Sequence, residues 1–248
     1  MPPKKPGPAK DEARKWLETE TALLDALQQR FYADGGKALL VVFQAMDTGG
    51  KDGVIRRVFG PVNPQGVRVM SFKAPAKREL AQDYLWRVHA EAPAKGMIGV
   101  FNRSHYEDVL IGRVRRLASK ADIEKRYGHI NDFERLLADT GTVILKFFLH
   151  ISKDEQLSRL RERLDNPAKR WKFEPADLEE RKLWDEYMEA YGLALERCNA
   201  PHAPWHVIPA DRKWYRDWAV ARILRETLEA LNPRFPEPKV DLEGMKAI

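Results

Sequence analysis

One glycine-rich turn, Ala45-Met46-Asp47-Thr48-Gly49-Gly50-Lys51-Asp52-Gly53, limits what this 248-residue chain can fold into. Ahead of it, Ala38 to Phe43 has the length and β-branched content of a buried parallel strand. After it, Val54 to Phe59 resume with helical spacing. Strand, glycine turn, helix is the order a phosphate-binding loop requires.

In such a loop the glycines let successive N–H groups point into one concavity. The helix that follows presents its positive dipole end, and a lysine reaches the outer phosphates. Gly49, Gly50, Lys51 and Gly53 supply those parts. Against the pattern G-x-x-x-x-G-K-[ST], Ala45 takes the place of the first glycine and Asp52 that of the magnesium-binding hydroxyl. Asp47 then puts a carboxylate inside a loop that attracts anions, where repulsion is costly unless a cation intervenes or the group takes a proton. Asp47 is therefore a candidate magnesium ligand, a base, or both. The plainer alternative is that Asp47 caps the helix and Lys51 is a solvated surface charge.

Composition narrows the setting. Apolar residues make up 44% and charged residues 32%, a globular balance, and the length suits one α/β domain. Residues 1–10, with four prolines and three lysines, read as a flexible arm. Residues 11–232 read as a single domain and 233–248 as a Pro-containing tail. No stretch resembles a membrane span or a secretory signal, so a soluble, cytoplasmic protein is expected. The single cysteine, Cys198, leaves no intrachain disulfide or cysteine metal cluster. A formal charge of +6 favours anionic partners, whether nucleotide, nucleic acid or another polyanion, and is equally compatible with a merely basic surface.

Helical spacing covers Asp11 to Tyr32, Leu80 to His89, Glu107 to about Leu117, Ile123 to Asp139, Leu178 to Glu196 and Trp214 to Leu231. Ser152 and Glu155 look like the capping box of a further helix. Strands are expected at Val67 to Phe72, Met97 to Phe101, Val143 to Leu149 and Trp205 to Pro209, besides the first. The alternation implies a mostly parallel sheet with helices on both faces, and ligands at the carboxyl ends of its strands.

Further clusters fall at those ends. Phe101-Asn102-Arg103-Ser104-His105-Tyr106-Glu107-Asp108 follows the third strand, where a Walker-B carboxylate would stand and Asn102 stands instead. Its carbonyl oxygen can still ligate a cation or its water. Arg103 could neutralise a moving phosphoryl group, or pair with Asp108 or Glu107. Glu107 could accept from a base amine, help place magnesium, or cap a helix. His105 is read as a packing residue. Arg159, Arg161, Arg163, Lys169, Arg170, Trp171 and Lys172 flank the Asp165-Asn166-Pro167 turn and suggest a basic lid, about 155–175; the bland reading is a solvated helix with Trp171 and Phe173 in the core. Lys73 and Arg78 fall where an acceptor or a long anion would lie, and Arg113, Arg115 and Arg116 could extend a basic track.

At these residues the sequence resembles the family-2 polyphosphate kinases, P-loop kinases related in fold to thymidylate kinase. The likeness runs from about Leu39 to Leu231. It is carried by the glycine turn, by Val62-Asn63-Pro64-Gln65-Gly66-Val67, Ser71-Phe72-Lys73-Ala74-Pro75 and Asp83-Tyr84-Leu85-Trp86-Arg87, and by the cluster at 101–109. Leu164-Asp165-Asn166-Pro167-Ala168-Lys169-Arg170-Trp171-Lys172-Phe173 and Val207-Ile208-Pro209-Ala210-Asp211-Arg212-Lys213-Trp214-Tyr215-Arg216 complete it.

The resemblance implies an α/β three-layer sandwich with a mostly parallel five-stranded sheet and a helical lid. It implies phosphoryl transfer between inorganic polyphosphate and nucleoside mono- or diphosphates, adenine nucleotides foremost and guanine nucleotides by extension, with Mg2+ or Mn2+. Asp47, Lys51 and Arg103 would be the catalytic set, and the segment Leu164 to Phe173 the lid. Asn102 with Glu107, and Asp52 after the lysine, look like the subgroup called class III, whose members phosphorylate both mono- and diphosphates. Gln82 stands where a histidine is common. Members are often homodimers or homotetramers, and no nucleic-acid or membrane partner is expected. An ATP-dependent nucleoside monophosphate kinase is the alternative enzyme, and a basic nucleic-acid-binding protein the alternative outside enzymes.

Overall fold

The strand before the glycine turn is buried along its whole length, from Ala38 to Gln44. A strand apolar on both faces needs cover on both faces and a neighbour on each edge, and in the computed structural model it has them. The structure describes residues 10–238; the arm expected at 1–10 and the tail expected at 233–248 lie largely outside them.

The strands are β1 (Ala38–Gln44), β2 (Val67–Ser71), β3 (Ile98–Asn102), β4 (Thr142–His150) and β5 (Trp205–Pro209), in the order β2-β3-β1-β4-β5. Every pairing is parallel, which sharpens the expectation of a mostly parallel sheet. In register, Phe43 stands beside Asn102 and Asn102 beside Ser71, so the carboxyl ends of β1, β3 and β2 open on one edge.

Helices α1 (Lys10–Asp34), α2 (Lys51–Phe59), α3 (Lys77–Leu80), α4 (Trp86–His89), α5 (Ile111–Val114), α6 (Lys120–Asp139), α7 (Lys153–Asp165), α8 (Pro175–Lys182), α9 (Trp184–Arg197) and α10 (Lys213–Leu231) surround the sheet. One layer is built by α1, α2 and α10, which pack on one another, and another by α5, α6 and α9. The core is continuous through all three layers, from Leu24 and Leu224 through Leu40 and Phe147 to Ile130 and Tyr191. Burying each such side chain stabilises the fold by roughly 1.5–3 kcal/mol.

The strands and most long helices fall where the pattern put them. Half of the expected capping box forms: Ser152 accepts from the Glu155 backbone N–H at 3.2 Å and starts α7, while its own N–H donates to Asp211 Oδ1 at 2.7 Å and the Glu155 carboxylate accepts from Arg159 instead. Three expected helices are interrupted. Between Leu80 and His89 the Asp83 carboxylate accepts from the N–H groups of Leu85 and Trp86, both at 3.0 Å, and this local turn splits the segment into α3 and α4. Glu107 to Leu117 is a 3-10 turn, His105–Asp108, followed by the short α5. The stretch expected from Leu178 to Glu196 divides at Leu183 into α8 and α9.

Candidate active site

The loop after β1 is held from behind. Arg159, on α7 and nearly buried, donates from Nη1 to the carbonyls of Thr48 (3.0 Å) and Gly49 (3.3 Å), and from Nη2 to Ala210 (2.6 Å) and Asp211 (3.2 Å). Gln156, one turn earlier, donates to the Asp47 carbonyl at 3.1 Å. Because peptides are trans, carbonyls turned towards α7 leave the next N–H groups facing away from it. Thr48 (φ 61°) and Gly50 (φ 100°) take left-handed backbone to make the bend. A β-branched residue such as Thr48 resists that conformation, so the surrounding hydrogen bonds must hold it there.

Beneath Gly50 lies Arg216, 1% exposed, its guanidinium fixed on Asp217 Oδ1 at 2.8 and 2.5 Å. A Cβ at Gly50 would stand 1.9 Å from Arg216 Nη1. The glycine is thus required twice, by backbone angle and by the close approach of the arginine.

Lys51 is the first residue of α2, 8% exposed, with Nζ donating to the Ala45 carbonyl at 2.8 Å. It is not a solvated surface charge. Burial lowers its pKa, the nearby Arg103 lowers it further, and Asp47, Glu107 and Asp52 act in the opposite direction. Nor does Asp47 cap α2, whose N-cap is Gly50 without a side-chain bond. Its Oδ1 instead accepts from Arg103 Nη2 at 2.8 Å. Arg103, itself in left-handed backbone (φ 63°), donates its N–H to the Phe43 carbonyl, so β3 hands its end residue directly to the loop after β1. That pairing replaces the one expected with Glu107 or Asp108; Asp108 pairs with Arg126.

Glu107 does not cap a helix. It sits in the 3-10 turn beside Arg103 and Lys51, with the Gln44 amide donating to Oε1 at 2.9 Å when its nitrogen faces the carboxylate. Burial raises its pKa, against the opposing pull of Arg103 and Lys51. Asn102 Nδ2 donates to Asp52 Oδ1 at 2.7 Å. The carboxylate expected on the strand end and the hydroxyl expected after the lysine are therefore replaced by an amide and a carboxylate that hold one another.

These groups line one cavity of about 840 Å³. Asp47, Gly49, Gly50, Lys51, Asp52 and Gly53 form its floor, and Lys73, Asn102, Arg103 and Glu107 the rim beside β2 and β3. Lys169, Trp171 and Lys172 reach it from the segment after α7. Trp171 is 77% exposed with Lys172 Nζ 4.9 Å from its ring centre, which overturns the reading of Trp171 as a core residue. The basic segment is tethered at its root: Arg163 pairs with Asp177 at 2.8 Å, and Lys169 with Glu162.

Three expected site residues lie elsewhere. Arg78 stacks 5.6 Å from the Trp86 ring centre, Arg170 donates to the Leu164 carbonyl at 2.9 Å, and Arg113 is paired with Glu189 at 2.7 Å. Each guanidinium found a local partner, and charge in a sequence does not say which. His105 packs, as expected, fully buried against Glu134. The reading missed Tyr187 and Tyr191, one turn apart on α9, which face the cavity; burial pushes both hydroxyls far above the usual tyrosine range. Their i, i+4 spacing was the available signal, in a helix otherwise read as core. It also placed Arg159 in the lid, whereas the side chain clamps the phosphate loop.

Among the described residues no group of three or more His, Cys, Asp or Glu side chains gathers as a protein-only metal cage would need. Of the carboxylates that line the cavity, the two on the glycine loop, Asp47 and Asp52, fit the other mode of binding Mg2+, through one or two carboxylates with phosphate and water supplying the rest.

A glycine turn between a parallel strand and a helix, a lysine at the helix start and an arginine-bearing strand end beside it define a P-loop kinase. The family model for polyphosphate kinase 2 (PPK2) matches residues 8–236, and the chain belongs to that family. The chain is 57% identical to an AMP/ADP-polyphosphate phosphotransferase of Meiothermus ruber, over 94% of this chain and 88% of that one. It is 45% identical to an ADP-polyphosphate phosphotransferase of Rhodopseudomonas palustris, over 92% and 83%. The crystal structure of polyphosphate kinase 2 from Arthrobacter aurescens TC1 superposes with a TM-score of 0.95 at 46% identity, over 97% of this chain and 87% of that one.

Proposed function

We propose that this chain transfers a phosphoryl group between inorganic polyphosphate and nucleoside mono- and diphosphates, converting AMP to ADP and ADP to ATP at one site. The observation that carries this reading is the Asp47 carboxylate set within the phosphate loop, 2.8 Å from Arg103 and on the same cavity as Lys51. The names of the Meiothermus and Rhodopseudomonas relatives support polyphosphate as donor.

In this reading the N–H groups of the glycine loop cradle the anion, while Lys51 and Arg103 hold the transferring group and offset the charge that builds on it. Asp47 receives the acceptor's proton when one is present. Glu107 orients the acceptor, and with Asn102 and Asp52 it gives the class III pattern that serves both AMP and ADP. Lys73, Lys169 and Lys172 extend the cationic wall along a chain of phosphates, and the segment within about 155–175 closes as a lid that excludes water. Its moving part begins beyond Arg159, which stays clamped to the loop. Arg78, Arg113 and Arg170 stay outside this set. Asp47 and Asp52 would hold Mg2+ or Mn2+, which supplies charge neutralisation between phosphate oxygens when bound.

Residues 11–232 act as the single kinase domain, with adenine and guanine nucleotides as acceptors. The family resemblance supports a homodimer or homotetramer, and its setting is read as the cytoplasm; among the described residues no helix is long and apolar enough to cross a membrane. AMP incubated with polyphosphate and no ATP tests the function. ADP followed by ATP is expected, with Lys51→Ala inactive; absence of both products contradicts it.

A further inference from the structure

Lys146 lies in the middle of β4, completely buried, with apolar residues on either side from Val143 to Leu149. Its Nζ donates to Glu134 Oε2 (2.5 Å), to Tyr106 Oη (2.7 Å) and to the Cys198 carbonyl (2.7 Å), so each ammonium proton has an acceptor. Glu134, on α6 and also fully buried, uses Oε1 to accept from Tyr106 Oη (2.8 Å) and from His105 Nε2 (3.2 Å). Lys146 stands 5.2 Å from the ring centres of both Tyr106 and Trp205.

Stability does not account for this arrangement. Desolvating two charges offsets most of their attraction, and apolar residues of the same volume commonly serve as well or better. What such a network does give is a fixed orientation for the groups bonded to it. Those groups are His105 and Tyr106, the two residues between Arg103-Ser104 and Glu107. The turn has two sides. One sends Arg103 and Glu107 into the cavity, and the other sends His105 and Tyr106 into the core. The left-handed backbone of Arg103 needs support from both sides, and the Phe43 carbonyl supplies only the first. The Cys198 carbonyl adds the end of α9, the helix that brings Tyr187 and Tyr191 to the same cavity.

We propose that Glu134 and Lys146 are positioning residues for phosphoryl transfer: through Tyr106 and His105 they hold the turn at 103–107 so that Arg103 and Glu107 stay aimed into the cavity. The proposal rests on the phosphotransferase reading above. Neither residue touches the cavity, and neither is a catalytic residue.

The test is steady-state kinetics of the full chain and of Lys146→Met/Glu134→Gln, which removes both charges together and keeps their shapes. Tyr106→Phe, which deletes only the bridging hydroxyl, is measured alongside. The expected result is a folded double variant whose kcat with ADP falls about tenfold or more, while KM for polyphosphate, set by the glycine loop and lid, stays within about twofold. The AMP-to-ADP turnover ratio should shift by about threefold or more, because Glu107 loses its bearing. A folded double variant with kcat and acceptor ratio within about twofold of wild type overturns the proposal. So does a loss of rate that only follows the loss of folded protein. If the double variant fails to fold, Tyr106→Phe decides by the same criteria. A wild type without polyphosphate-driven turnover takes down the phosphotransferase reading and this proposal together, which separates that failure from one of the network alone.

Discussion

Arg103 Nη2 lies 2.8 Å from Asp47 Oδ1, joining the end of β3 to the loop that follows β1. The pair is half-solvated, with the arginine side chain 39% and the aspartate 25% exposed, so its worth lies in placement more than in stability. It sets a cation on the rim and a carboxylate on the floor of the cavity at fixed separation.

Asp47→Asn tests that placement. Turnover should fall by about 100-fold or more, while the fold loses no more than about 1 kcal/mol, as for an exposed pair. A turnover assay beside a thermal melt checks both, and near-normal turnover would remove Asp47 from the catalytic set.

Gly50→Ala should damage loop and fold together. The new Cβ meets Arg216 Nη1 at 1.9 Å, and Arg216 is pinned by Asp217, so it has no room to retreat. With the left-handed backbone at φ 100° the cost is about 2 kcal/mol or more. Denaturant unfolding measures it; a variant as stable as wild type would mean the arginine yields freely.

Glu107 ties stability to pH. Its folded pKa is raised above the ordinary 4.5 by burial, opposed by Arg103 and Lys51. The folded state therefore binds the proton more tightly than the unfolded chain. The stability this contributes is full below the ordinary carboxylate range and is lost as pH rises through the raised folded pKa. Glu107→Gln carries no such titration, so its melting temperature relative to wild type should climb as pH goes from acidic to neutral. A pH-independent difference between the two would contradict the burial argument.

Replacing Glu107 with Asn separates the acceptors. AMP phosphorylation should fall more than ADP phosphorylation, by about tenfold in ratio. Comparable losses in kcat/KM on both nucleotides would deny Glu107 its role at the acceptor.

The parts legible in the sequence were those decided locally. The buried run of β1, the glycines and Lys51, and the Ser152 cap each follow from neighbouring residues, and each stands where expected. What escaped was decided by distant partners. Helical spacing between Glu107 and Leu117 gave no hint that Tyr106 is drawn towards Lys146, which lies forty residues later in the sequence, on β4. Arg159 looked like one of several lid cations, and only the folded chain shows its guanidinium among the carbonyls of Thr48, Gly49, Ala210 and Asp211. Arg78, Arg113 and Arg170 show the converse, since a positive charge near a motif is as readily captured by a neighbouring ring, carboxylate or carbonyl as by a substrate.

The identity of the phosphoryl donor is tested most directly by the initial rate of AMP phosphorylation with polyphosphate as sole donor, set against the rate with ATP as sole donor. The structure and its relatives predict rapid turnover with polyphosphate that disappears in Lys51→Ala. Turnover with ATP alone, and none with polyphosphate, would contradict the account.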